Sequence, residues 1–453
     1  MALMGAPCAS GQSPFGELER VVKAHMQEHG VPGAAIALVR GDSIVFAGGF
    51  GVASSDTSTA VTPDMLFQAG SATKMLTAAL LATLAQQGTL RLDAPVGSYV
   101  SGLAPGLARL TLHQLLSQSA GIRDEEATTG SRDESALASY ARTWTDAYAI
   151  LPPGLAFSYS NPGYALAGLA AQEAAKRPFA ELVRERVLVP AGMVRTTYHP
   201  PQQATAMAVG HSPPPNAPPN AEARPVRPYA NDTRFWPAGY AFTSASELAR
   251  FAIAIMNRGR IDGRQALPAD AVRAMLTRHM AVPNIFESAG YGYGLFLGPY
   301  RGERSAWHDG QMPGFGAMVR LLPDRRLGVI VLLNRSGVRS DRIVDVAFDA
   351  LGVTATAPDP PVPRPLVAMS AAEMARITGR YENRFTVELL TRDGALYRRW
   401  FGQEARIYRV GEQRFTVDST RVNRAAEFSI VPARAGAPAY VQLFLWAFPR
   451  RER

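Results

Sequence analysis

Cysteine is nearly absent. Cys8 is the only one in 453 residues, so an intramolecular disulfide and a cysteine-based metal site are both excluded. No His-Glu-x-x-His pattern stands in for them. Lysine is almost as scarce: among 47 basic residues only Lys23, Lys74 and Lys176 are lysines. The net charge of +9 is dispersed as single arginines and short pairs. Without a lysine-rich block or a basic helix it carries no nucleic-acid signal. The longest apolar helical run, around residues 75 to 85, falls short of the roughly 20 residues that span a bilayer, so no integral membrane segment is expected. What remains is a chain with 47% hydrophobic and 19% charged residues, globular in composition and long enough for two domains.

The scarcity of lysine makes one stretch stand out. Gln68-Ala69-Gly70-Ser71-Ala72-Thr73-Lys74-Met75 runs into the apolar segment 76–84. It reads as a loop turning into a helix, with Gly70 allowing a sharp turn and Ser71 at or just inside the helix start. Lys74 lies three residues on, over the same face as Ser71. The helix dipole and burial both disfavour a protonated amine there, and a neutral amine can take a seryl proton. Arginine keeps its proton and cannot do so. The plain alternative is a helix cap followed by a solvated lysine.

Helical spacing marks 15–28, stopped by Gly30, and strands follow at 34–39 and 43–47 around a Gly41-Asp42 turn. Thr111 to Gly121 reads as a short capped helix ending in a glycine turn. The stretch 130–195 reads as helical, with breaks at Pro152-Pro153-Gly154 and Pro162-Gly163. Residues 200–237 form a long Pro- and Asn-rich irregular stretch, expected to be a binding loop or disordered. Ser244 and Glu247 signal the start of a helix over 248–256. Strands return at 292–296, 317–322 and 327–333, and a helix near 340–351 is expected to pack beside the one at 15–28. The fold class is therefore α+β: an antiparallel sheet built from both ends of a domain spanning 14–353, flanked by helices, with a helical subdomain between. A proline-rich linker at 354–369 leads to short alternating segments over 370–453, expected to form a small all-β barrel or sandwich. Residues 1–13 read as a leader resembling the tail of a secretory signal, which points to a periplasmic or secreted protein. A disordered leader on a cytoplasmic protein is the alternative.

Two further segments complete a constellation. Tyr159-Ser160-Asn161 lies in a loop marked by Pro162-Gly163, and His308-Asp309-Gly310-Gln311 is placed just before a strand. The order Ser-x-x-Lys, Tyr-x-Asn, His-x-Gly resembles the serine β-lactamase and penicillin-binding-protein superfamily. It is most similar to class C-type serine hydrolases such as DD-peptidases, D-aminopeptidases and family VIII esterases. The framing segments 115–122, 153–161 and 238–244 agree. The tail resembles the lipocalin-like domains sometimes appended to such hydrolases. The resemblance implies that Ser71 is the nucleophile and that Lys74 and Tyr159 share the general-base work. It implies that Asn161, His308, Gly310 and Gln311 bind substrate, with the Ser71 and Gln311 N–H groups as oxyanion hole. Gly310 would let the strand edge approach the substrate.

No cofactor and no metal are implied, and the partner is a small ester, amide or peptide substrate. Where many relatives have Lys-Thr-Gly, this chain has His308-Asp309-Gly310. A neutral histidine offers no fixed positive charge to a substrate carboxylate, so an esterase-like or aminopeptidase-like activity is expected. The alternative among enzymes is a D-amino-acid-specific or DD-peptidase with weak β-lactamase activity; the alternative in another class is a penicillin-binding or sensor protein that acylates and stalls. A Ser-His-Asp hydrolase fits less well, because Gly210-His211-Ser212-Pro213-Pro214 lacks the second glycine of a nucleophile elbow.

Overall fold

The computed structural model describes residues 15–199, 206–214, 217, 221–282, 289–355, 362–421, 423 and 426–451. The expected leader, and parts of the 200–237 stretch and of the linker, lie outside these residues. The main sheet uses β1 (Gly33–Arg40), β2 (Ser43–Gly51), β3 (Met280–Ala281), β4 (Gly290–Tyr291), β5 (Phe296–Tyr300), β6 (Glu303–Met312), β7 (Phe315–Leu322) and β8 (Leu327–Leu333). Their spatial order is β2-β1-β8-β7-β6-β5-β4-β3, every pairing antiparallel. The sheet thus joins both ends of the region, as expected from the sequence. The principal helices are α1 (Gly16–His29), α2 (Thr73–Gln86), α3 (Asn161–Ala175), α4 (Ala245–Met256) and α5 (Asp341–Ala350).

Side chains alternate across a strand, and the two faces of β1 go to different cores. Ala34, Ile36 and Leu38 meet α1 and α5 through Leu18, Val22, Met26, Ile343, Ala347 and Phe348. Ala35, Ala37 and Val39 belong to the larger core with α2 and α4. Helix α1 ends because Gly30 adopts a left-handed conformation, φ +58°, and its N–H closes back on the last turn. Helix α2 is buried along its whole length from Thr73 to Leu84, so it is the central post of the helical layer rather than an amphipathic cover.

Several local expectations are corrected. Pro162-Gly163 does not break a helix: Ser160 caps α3 by accepting from Gly163 N, and Pro162 fits its first turn, where no backbone donor is needed. Residues 292–295 are the turn between β4 and β5, not a strand. Gly294 sits at φ +72°, and a Cβ there would lie 2.6 Å from Lys74 O, so the turn packs directly on α2. His308, Gly310 and Gln311 lie inside β6 rather than before a strand. At α4, Ser244 accepts from Glu247 N, but the Glu247 carboxylate is spent on Arg195 N and Thr196. Within the described part of 200–237, Ala208, His211, Asn231, Asp232, Phe235 and Trp236 are buried, whereas Glu222, Arg224 and Arg227 are exposed.

After α6 (Ala371–Ile377), begun by a Ser370/Glu373 capping box, the chain forms an up-and-down array. The strands are β9 (Gly379–Glu382), β10 (Thr386–Arg392), β11 (Ala395–Trp400), β12 (Gln403–Arg406), β13 (Tyr408–Arg409), β14 (Arg414–Thr416), β15 (Glu427–Val431), β16 (Tyr440–Leu443) and β17 (Trp446–Pro449). They form sheets β9–β12 and β13–β17, and a Tyr381–Arg450 bridge brings the last strand beside the first. Val387, Leu389, Phe415, Phe428, Ile430, Val441 and Phe448 fill the interior. The segment 441–446, whose mostly apolar residues suit a single strand, is split by a turn in which Phe444 takes φ +49°. Nothing in such a run announces a left-handed phenylalanine. Helix α6 and strands β9 and β15 were not expected.

Phe348 has no exposed surface and bridges α5 to the sheet. Phe348→Ala is expected to cost about 3–5 kcal/mol, read as a lowered urea midpoint for the sheet-containing region.

Candidate active site

Ser71 sits in a 3-10 turn, Gly70–Ala72, that leads into α2. It is not a helix cap, since neither helical start has a side-chain capping bond. Two glycines explain its position. A Cβ on Gly70, which has φ +52°, would lie 2.6 Å from Gln311 N. A Cβ on Gly310 would lie 1.9 Å from Ala69 O and 3.1 Å from Ser71 N. The Ser71 turn and β6 therefore meet backbone to backbone. Gly310 is small because the nucleophile's own turn presses on it, not to admit substrate to a strand edge.

The sheet register turns Gln311 N–H towards this contact. Asn334 N donates to Gly33 O, which fixes the alternation of bonding directions across β8, β7 and β6. Gly310 then bonds with β7, and the N–H of Gln311 points to the opposite side. There β5 has already ended, its last pairing being Phe296 with Trp307. The N–H groups of Ser71 and Gln311 thus flank one position.

Lys74 is fully buried. Its Nζ lies 2.7 Å from Asn161 Oδ1, 2.6 Å from Ala238 O and 3.3 Å from Ser71 Oγ. Burial pulls its pKa down to about 7, against the opposing pull of the Asp124, Glu126 and Asp309 carboxylates. The Ala238 carbonyl was not foreseen, because it comes from a short helix, Trp236–Gly239, at the end of the Pro-rich stretch.

Tyr159 belongs to the same cluster. The amine of Lys74 lies over its ring, 4.7 Å from the centre. Burial dominates and holds the phenol well above its ordinary pKa, while the Ser71 hydroxyl acts on it in the lowering direction. The group is a protonated phenol whose oxygen makes no hydrogen bond of regular geometry within the described residues. Its proton is available to a fourth group.

His308 is buried, with Nδ1 2.6 Å from Asp309 O and Nε2 3.3 Å from Tyr291 Oη. Desolvation and the neighbouring Lys74 push its pKa down to about 3, so the ring is neutral. It packs beside Tyr159, with ring centres 6.3 Å apart. Asp309 points to the opposite, open face of β6. His211 is tied to Asn334 O and Ser55, and the Ser212 hydroxyl meets that of Ser336, so neither residue joins the cluster.

A small, open cleft is lined by Ser71, Asn161 and Gln311 together with Glu126, Phe235, Tyr240 and Met312. Sequence reasoning missed Asp124 behind it, two residues past the framing segment that ends at Ile122. Buried Asp124 accepts from Asn161 N at 2.8 Å and Asn161 Nδ2 at 3.2 Å.

This fold and this cluster define the serine β-lactamase and penicillin-binding-protein superfamily. The chain belongs to the Beta-lactamase family, whose sequence pattern matches residues 18–354, and that membership carries a serine-hydrolase type of activity. It is 30% identical over 365 residues to Penicillin-binding protein 4 of Amycolatopsis lactamdurans, covering 78% of this chain and 94% of that one. It is 25% identical to a beta-lactamase of Lysobacter lactamgenus, over 72% of this chain and 88% of the other. Among solved structures SurE superposes with a TM-score of 0.77 at 26% identity, covering 97% of this chain and 99% of that one. The octameric penicillin-binding protein homologue from Pyrococcus abyssi shares the fold, with a TM-score of 0.66 at 23% identity over 94% and 95% of the two chains.

Gly310→Ala forces a methyl into Ala69 O and displaces the Ser71 turn. The reaction of Ser71 with a fluorophosphonate, followed by intact mass, is expected to slow by about 100-fold, while the circular dichroism spectrum is unchanged.

Proposed function

We propose that the chain hydrolyses a small ester or amide through an acyl-Ser71 intermediate. One observation carries this reading. Lys74 Nζ has three polar neighbours, and two of them, Asn161 Oδ1 and Ala238 O, only accept hydrogen bonds. A neutral amine donates its two N–H bonds to them and is left with a lone pair aimed at Ser71 Oγ. Ser71 passes its proton to Lys74 as Oγ attacks the carbonyl carbon. The carbonyl oxygen gains charge between the N–H groups of Ser71 and Gln311. The phenol of Tyr159 gives its proton to the leaving oxygen or nitrogen and is reprotonated from Lys74. Water then attacks the acyl-enzyme by the same route in reverse, releasing the acid and free Ser71. Asn161 orients the amine and Gly310 permits the backbone contact. His308 backs Tyr159.

The cleft favours an uncharged acyl group. No lysine or arginine is among the described residues that line it, and the charge of its Glu126 is paired with Arg384. A second reading, a peptidase for D-amino-acid amides, has one observation in its favour: SurE, similar over nearly the whole chain, was crystallised with D-Leu. A protein that acylates and stalls would give one stoichiometric burst and no turnover.

Steady hydrolysis of a nitrophenyl ester is expected, lost in Ser71→Ala together with the phosphonate adduct on the 71–74 peptide. Only neutral Lys74 accepts the seryl proton, so kcat/KM is expected to rise with pH through about 7. Lys74→Arg removes the base and should leave no measurable turnover at any pH up to 9.

A further inference from the structure

The β unit at the C-terminus reaches the reacting groups. Leu445 O accepts from Tyr159 N at 2.8 Å. Asn383 donates to Ser158 Oγ and accepts from Asp124 N. Trp446 Nε1 donates to Asp124 Oδ2 at 2.9 Å, and an Arg384 nitrogen lies 3.5 Å from the same oxygen. Arg384 also pairs with Glu126. Asp124 is thus a buried carboxyl between two regions, with Asn161 on one oxygen and Trp446 and Arg384 on the other.

Every group facing its oxygens is a donor. Burial pushes the Asp124 pKa up, and the four donors Asn161 N, Asn161 Nδ2, Trp446 Nε1 and Arg384 oppose it, since together they are served best by two acceptor oxygens, those of an ionised carboxylate. The bond to Asn161 also settles an ambiguity. An amide can be turned either way, but Asn161 Nδ2 faces Asp124 Oδ1 and Glu125 O, both acceptors, so Oδ1 is the atom turned to Lys74. With the amide reversed, two donors would meet at Lys74.

We propose that Asp124 is a positioning residue through which Trp446 and Arg384 of the C-terminal β unit fix the Asn161 amide and, through it, Lys74. The acylating machinery is completed by the last strand of the chain. The proposal rests on the acyl-Ser71 reading above. Acting on Lys74 are the charges of Asp124, Glu126 and, from the other face of β6, Asp309; around it lie neutral His308, the rings of Tyr159 and Tyr164, the Asn161 amide and the Ala238 carbonyl. Losing the Trp446 N–H removes a group that favours ionised Asp124. Asp124 then holds its proton more tightly and supplies less negative charge, and Lys74 gives up its own proton at lower pH. Arg384 is a less clean probe, since its removal also frees the Glu126 charge in the opposite sense.

The test uses the full chain with Trp446→Phe, which keeps the ring against Phe385, and with Asp124→Asn, which offers one oxygen to four donors. The rate of fluorophosphonate labelling at Ser71 is measured from pH 5 to 9 beside a thermal melt. The expected result for Trp446→Phe is a plateau lowered about tenfold, an acid limb moved to lower pH and an unchanged melt. Asp124→Asn moves the limb the same way with a lower plateau. A wild-type profile in Trp446→Phe overturns the proposal while leaving the hydrolase reading intact. A slower rate with an unmoved limb and a lowered melt overturns it in favour of simple packing. Absence of wild-type labelling at Ser71 overturns both.

Discussion

A lysine with no exposed surface is the constraint around which the site is built. Taking an ammonium out of water is costly unless partners compensate it, and the cheaper course for a buried amine is to lose its proton. Lys74 stands between those outcomes. Asn161 Oδ1 and Ala238 O satisfy two donors, three carboxylates favour the charged form, and burial outweighs them far enough to bring the pKa to about 7. The helix carrying it is buried from Thr73 to Leu84, so the amine has no route to relax into water. The turns around it are shaped to that helix. Gly294 packs against Lys74 O, and Gly70 and Gly310 close the nucleophile's turn on β6.

The same argument orders the layers outward. Asn161 serves Lys74 only if its amide is held one way, and Asp124 holds it. The burial of Asp124 is offset by the two Asn161 donors and by further donors from β17 and from the turn before β10. The backbone of Tyr159 is likewise received by Leu445. A chain region whose fold is independent in outline is thereby attached to the chemistry. SurE matches across nearly the whole chain, so the combined architecture is shared beyond this protein.

Much of this was legible in the residues. The antiparallel sheet from both ends, the pairing of α1 with α5 and the β character of the tail followed from period-two and period-3.6 patterns. The Ser71, Lys74, Tyr159 and Asn161 cluster followed from motif order. The misses share a cause. Gly292 to Phe296 alternates like a strand, but its glycines make a turn against α2. Val441 to Trp446 is apolar except for Gln442, but Phe444 turns the chain. Tyr159 was expected to share the general-base work, and no local pattern announces the burial that raises its pKa.

What the sequence by itself determined is which chemistry the chain carries. Residue types fix intrinsic proton affinity and reach, and a serine and a lysine three apart on a helix are neighbours in any fold that forms the helix. What only the tertiary structure decided is the working state of those groups. Whether an amine is neutral, a phenol protonated, an amide turned one way or a carboxylate ionised depends on burial and on partners hundreds of residues away. Asp124 and Trp446 are 322 positions apart, and no local pattern links them. Desolvation and hydrogen bonding act through space, and the chain brings the groups that exert them together only when it folds.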